Sequence, residues 1–76
     1  MSGLTPIHWK KFDKFLIFIG CKLKRQKGDH RIYWRKGLKR PIIIPRDKSL
    51  PIFIILNNLK LLDLSTEEYL DILKKI

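Results

Sequence analysis

The chain predicts an α+β domain in which a helix precedes a three-stranded antiparallel sheet and two further helices follow, the last of them short. Three observations predict it. Apolar residues recur at helical spacing near both ends of the chain. The middle alternates basic with apolar or aromatic residues at a period of two. Gly and Pro fall near the borders of these stretches. Helices on one sheet face would leave the other face free to meet a ligand. The 76 residues make one domain, 1–76. A chain this short has no room for both a core and a deep cofactor cavity.

The first helix is predicted over Thr5 to Ile19. Thr5-Pro6 reads as an N-cap followed by Pro at the first helical position. Trp9, Phe12, Phe15, Leu16 and Ile19 trace one face, with Lys10, Lys11, Asp13 and Lys14 on the other. Trp9 is expected in the core, His8 at the surface or as a cap, and Gly20 as the C-terminal stop. The first strand is Cys21 to Arg25, where Cys21, Leu23 and Arg25 alternate with a wet face of Lys22 and Lys24. Cys21 is expected to pack as a small hydrophobe. Gln26–Asp29 forms a turn, with Gly28 available for positive φ.

The second strand is His30 to Arg35, and Lys36-Gly37 marks a hairpin turn. The third strand runs from Arg40 to Ile44, where three consecutive isoleucines suggest burial on both faces. Pro41 is tolerated at a strand entrance, and Pro45 ends the strand. After a polar loop, Arg46–Ser49, helix returns from Leu50 with Ile52, Ile55, Leu56, Leu59 and Leu62 on its apolar face. Ser65-Thr66-Glu67-Glu68 is a helix start with a hydroxyl cap and first-turn acids. Tyr69, Leu70, Leu73 and Ile76 form the apolar face of that last helix.

Charge narrows the function. Seventeen Lys and Arg against seven acidic residues give a formal net charge of +10, and self-repulsion at that density suits a polyanionic partner. A hydrophobic share of 45% excludes whole-chain disorder. One cysteine excludes an intrachain disulfide, and no Cys/His or paired-carboxylate spacing suggests a metal. No metal and no cofactor are therefore expected. Residues 1–9 lack the pattern of a signal peptide, and the longest apolar runs, 15–20 and 50–56, are far short of the ~20 residues of a membrane helix. The basic residues lie on strands and not along one face of an amphipathic helix, so no membrane role is expected. A cytoplasmic location fits these features.

Lys22, Lys24, Arg25, Lys27, Arg31, Arg35, Lys36, Lys39 and Arg40 lie on consecutive strands and turns, interleaved with Tyr33 and Trp34. Cations neutralise phosphates and aromatic faces stack on unpaired bases, which points to nucleic acid. The alternative is a solvated charged face. His30 stands at the head of the second strand, flanked by Lys27 and Arg31, with Asp29 as a candidate to orient its imidazole. Histidine as a residue type is suited to proton transfer near neutral pH. Metal-free RNA cleavage needs a base for the 2′-hydroxyl, an acid for the leaving 5′-oxygen and a cation for the phosphorane. Taken alone, a single histidine is more often structural or merely exposed than catalytic.

The ordered set of segments resembles the HicA-type (YcfA-like) toxins. The residues that carry it are Gly20-Cys21-Lys22-Leu23-Lys24-Arg25-Gln26-Lys27-Gly28-Asp29-His30-Arg31-Ile32-Tyr33, then Ile42-Ile43-Ile44-Pro45, then Ile55-Leu56 and Leu64-Ser65-Thr66-Glu67-Glu68-Tyr69-Leu70. Cys21 stands where an aromatic is usual, Asp29 where Ser or Thr is common, and Pro51-Ile52-Phe53-Ile54 where the second helix usually opens on Gly-Thr-Leu. The resemblance implies a fold similar to the double-stranded-RNA-binding domain. It also implies an endoribonuclease (mRNA interferase) toxin that cleaves mRNA, and neutralisation by a HicB-type antitoxin. The catalytic histidine of the family maps onto His30, and the glycine of its turn onto Gly28. On this reading Lys22, Lys24, Arg25, Lys27, Gly28, Arg31, Tyr33 and Arg40 would contact RNA. The alternatives are a non-catalytic RNA-binding module on the same fold, or an interaction protein that binds through Phe53 and Ile54. The altered second helix leaves those two residues exposed unless a partner or a second copy, in a homodimer, covers them.

Overall fold

A computed structural model describes residues 3–76. The elements follow the predicted order: α1 (Trp9–Phe18), β1 (Lys22–Lys27), β2 (His30–Trp34), β3 (Ile42–Pro45), α2 (Ile52–Leu62) and α3 (Thr66–Leu73). The three strands form one antiparallel sheet in the order β1-β2-β3. The helices cover one sheet face, and their apolar residues meet Tyr33, Ile42 and Ile44 in a single core with Phe12, Phe15, Leu16, Leu50, Ile55, Leu59, Leu62 and Tyr69. Cys21 is buried among them as a small hydrophobe, where loss of water raises its thiol pKa against the opposing pull of Arg35. Among the described residues no helix is long and apolar enough to cross a membrane.

Helix α1 begins at Trp9, not near Thr5. His8 is its N-cap, with extended backbone and an Nδ1 that accepts from the Lys10 amide at 3.1 Å. The preceding residues are drawn into a tertiary pairing instead. The Leu50 amide donates to the Ile7 carbonyl at 2.7 Å, and the Trp9 amide donates to the Asp47 carbonyl at 3.0 Å. Long-range hydrogen bonds thus outcompete the Thr5-Pro6 start signal. The stop is as predicted: Gly20 has φ 94, and Cys21 and Gly20 donate back to Leu16 and Ile17 in a Schellman motif.

Four further expectations are corrected. Strand β1 extends through Gln26 and Lys27, so the turn shrinks to Gly28-Asp29 between the paired Lys27 and His30. A bulge between Leu23 and Arg25 shifts the alternation, which places Arg25 opposite Ile32 instead of on the Leu23 face. The isoleucine triplet of β3 is not buried on both sides: Ile42 and Ile44 enter the core while Ile43 is 47% exposed, because only one face carries helices. The link after β2 is no tight hairpin. It spans residues 35–41, turns at Gly37 with φ 95, and lowers Leu38 into the core. Trp9 is a fifth correction; it lies half-buried at the margin of the core.

In α2 the buried stripe is Ile55, Asn58, Leu59 and Leu62, so Asn58 takes the place assigned to Leu56, which is exposed. Pro51 caps the helix in extended conformation after Leu50 leaves the bridge to Ile7, so helix starts at Ile52. Phe53 is 63% exposed, as its position after the apolar opening suggests. Helix α3 opens on a full capping box: the Ser65 hydroxyl accepts from the Glu68 amide, and the Glu68 carboxylate accepts from the Ser65 amide.

Candidate nucleic-acid interface

Residues directly opposite each other in an antiparallel pair share a sheet face. Two sets therefore separate. Leu23, Tyr33 and Ile42 are cross-paired, as are Gln26, Arg31 and Ile44, and both sets look toward the helices. Lys22 and Trp34, then Arg25, Ile32 and Ile43, then Lys27, His30 and Pro45 look the other way. The open face is thus an apolar centre with a histidine at one end, an indole at the other and a row of cations along β1.

His30 heads β2 next to a two-residue turn. Gly28 has φ 58 while Asp29 keeps a negative φ, the pattern of a turn with glycine at its first central position. A Cβ on Gly28 would meet nothing within 4 Å, so backbone conformation and not space demands glycine there. The turn is pinned from β3: the Arg46 amide donates to the Asp29 carbonyl at 2.9 Å. Lys27, Gly28, Asp29, His30, Ile32 and Ile43 line an open concavity of about 550 Å³. No side chain among the described residues hydrogen-bonds the exposed His30 imidazole, so Asp29 does not orient it here.

The structure brings Lys22, Arg25, Lys27, Gly28 and His30 together on or beside this face. Lys24 occupies the bulge and is exposed. Arg31 and Tyr33 are set apart on the helix side. Tyr33 is fully buried, which corrects its expected place as an RNA-stacking ring: strand parity turns it into the core. Its hydroxyl donates to Asp13 and accepts from Arg31 Nε at 3.0 Å, and burial pushes its pKa up to about 12. The Arg31 guanidinium spends its donors on Tyr33, on Gln26 at 2.8 Å and on Asp13 at 3.3 Å, and its hydrogen bond to Tyr33 is the main reason its pKa rises. It also stacks on Trp9, 4.9 Å from the ring centre. Arg40 lies at the far end of the sheet, where it lines a separate basic concavity of about 680 Å³ with Lys39 and Lys60.

Sequence reasoning missed Arg46. It follows Pro45, the β3 partner of His30, and its guanidinium rests 5.4 Å from the Trp9 ring, on the helix side with Arg31. Its only sequence signal is a positive charge in a polar loop; strand pairing is what carries that charge to the histidine end.

Comparison with known families agrees with the arrangement. Residues 9–64 match the family described as the HicA toxin of bacterial toxin–antitoxin systems, a span from the first residue of α1 to just past α2. No curated protein and no solved structure shows a significant match. The matched span takes in every strand, the glycine turn and His30, and membership implies an antitoxin as partner. A match over well more than half of the chain, on a sheet and helices in the predicted order, establishes that this chain belongs to the HicA toxin family.

Proposed function

We propose that the chain is an endoribonuclease that cleaves mRNA with His30 as its catalytic residue and without a metal ion, and that a HicB-type antitoxin silences it by covering the open sheet face. The observation that carries this reading is the position of His30: solvent-exposed, at the edge of an open concavity, with Lys27 directly opposite it on β1. His30 would take the proton of the RNA 2′-hydroxyl or return one to the leaving 5′-oxygen. The freed 2′-oxygen would attack the adjacent phosphorus, closing a cyclic phosphate and expelling the 5′-oxygen. Lys27 and Arg25 would meet the charge of the phosphorane, and Lys22 and Lys24 would hold flanking phosphates. Arg40 would contact a more distant phosphate. Arg31 would support the fold of the site through Asp13 and Tyr33. A metal-free route suits the donors present: among the described residues no group of three or more His, Cys, Asp and Glu is arranged to hold an ion.

The test is cleavage of a labelled single-stranded mRNA in EDTA, with the His30→Ala variant alongside. The unsubstituted chain is expected to cut and leave cyclic phosphate ends, while the variant binds and is slower by about 10²–10⁴-fold. Equal cleavage by both would end the assignment to His30. One observation favours a second reading, RNA binding without cleavage: among the described residues the His30 imidazole has no side-chain partner to orient it. Bound, intact RNA with both proteins would establish that reading.

A further inference from the structure

The proposed reaction leaves Trp34 without a role. Its ring is 37% exposed and sits on the same sheet face as His30, because residues 30, 32 and 34 alternate outward along β2. Neither Trp34 nor Ile32 belongs to the apolar cluster under the helices, so the indole adds nothing to the core. Each outward residue of β2 has a cation opposite it on β1: Lys27 across from His30, Arg25 across from Ile32, Lys22 across from Trp34. Phe18 and Phe53 are also exposed, but they belong to helices packed on the other face.

We infer that Trp34 is a base-stacking platform, and that the open sheet face binds single-stranded RNA, with the backbone following the β1 cations while one base lies on the indole. The inference rests on the reading of this chain as an RNA-binding toxin, and it names the substrate class and a second subsite. Stacking on an aromatic ring requires an unpaired base, since bases within a duplex already stack on their neighbours. The spacing fits: four residues of strand put Trp34 ~13 Å from His30. That is about four nucleotides at the ~3.4 Å rise of a stacked strand, and fewer where the strand is stretched. Charge complementarity selects the occupant, because three cations in register with three outward side chains match a polyanion of regular repeat. The base on Trp34 would therefore lie at a fixed offset from the phosphate cut at His30.

The experiment uses the full chain carrying His30→Ala, so that binding is read without cleavage. Affinities are measured for a short oligouridine and for a ribose-phosphate chain of equal length without bases, first with Trp34 present and then with Trp34→Ala and Trp34→Phe. With Trp34 present, the bases are expected to strengthen binding by roughly tenfold to a hundredfold. Trp34→Ala is expected to erase most of that preference without changing affinity for the base-free chain, and Trp34→Phe to keep much of it. Equal affinity for the two ligands with Trp34 present would overturn the inference with no variant needed. A preference that survives Trp34→Ala would overturn it too, and would leave this face to a protein partner. If the unsubstituted chain cuts RNA and the preference ignores Trp34, only this inference falls. If no RNA is cut but the preference depends on Trp34, the catalytic reading falls and the platform stands.

Discussion

Arg31 and Lys27 are both cations near His30 in sequence, yet the sheet gives them opposite tasks. Arg31 faces the helices, bonded to Tyr33, Gln26 and Asp13, while Lys27 faces the open side across from His30. Arg31→Ala would take from the buried Tyr33 hydroxyl its donor and from Asp13 its ion pair, leaving only the bond between those two. It is expected to cost about 1–3 kcal/mol of stability in denaturant melts while leaving RNA affinity nearly unchanged. Lys27→Gln should do the reverse. The two tyrosines of the chain offer a pH test. Burial raises both Tyr33 and Tyr69 from an ordinary value of 10.0 to about 12. Their neutral forms favour the fold, so this contribution is complete below pH 10.0 and is lost as pH rises toward about 12. Ultraviolet titration should show tyrosinate forming near pH 12 in the native chain and near pH 10 in denaturant. Early ionisation of either tyrosine in the native chain would contradict its burial.

Among the elements, the termini of the helices are where single changes act most cleanly. Asp63 closes α2 in the left-handed region, φ 56, and its amide and that of Leu64 donate to Lys60 and Leu59. A left-handed non-glycine residue with a negative charge at a helix C-terminus is unfavourable on both counts. Asp63→Gly is expected to stabilise the chain by about 1 kcal/mol, seen as a rise of about 4–8 °C in Tm. At α3, Ser65→Ala removes the N-cap and should cost about 1 kcal/mol. The Glu68 carboxylate is held below the usual carboxylate range by its bonds to Ser65. Its share of stability is therefore present above that usual range and is lost as pH falls through the lowered value, and Glu68→Gln should flatten this part of the acid profile. The Ser65 start was legible in sequence because the cap and its partner are three residues apart. His8 was legible as a surface or capping residue, but that it starts α1 in place of Thr5 follows from the pairing of Ile7 with Leu50 across the chain.

On the scale of the whole molecule, a charge of +10 is distributed over a sheet with one open face. Binding to single-stranded RNA should weaken linearly in logarithmic salt, with a slope near −0.7 for each phosphate neutralised. Removing Lys22, Arg25 or Lys27 should each reduce that slope by about 0.7. Arg31→Ala should leave it unchanged, because that guanidinium is already neutralised by Asp13. A uniform decrease for every cation removed would mean that charge alone, and not the sheet face, organises the contact.

The order of elements, the glycine turn before His30, the Gly20 stop and the Ser65 cap were all determined by sequence, because each rests on residues within one turn or one strand of each other. The anionic character expected of the ligand follows from the basic composition. The tertiary structure alone decided which cations share a face with His30. One bulged residue at Lys24 moves Arg25 to the open side, and strand parity buries Tyr33 while exposing Trp34. Two adjacent aromatic residues of similar composition thereby take opposite roles. Periodicity within a strand says that neighbours part company; only the helices, by covering one face, settle which of them reaches solvent.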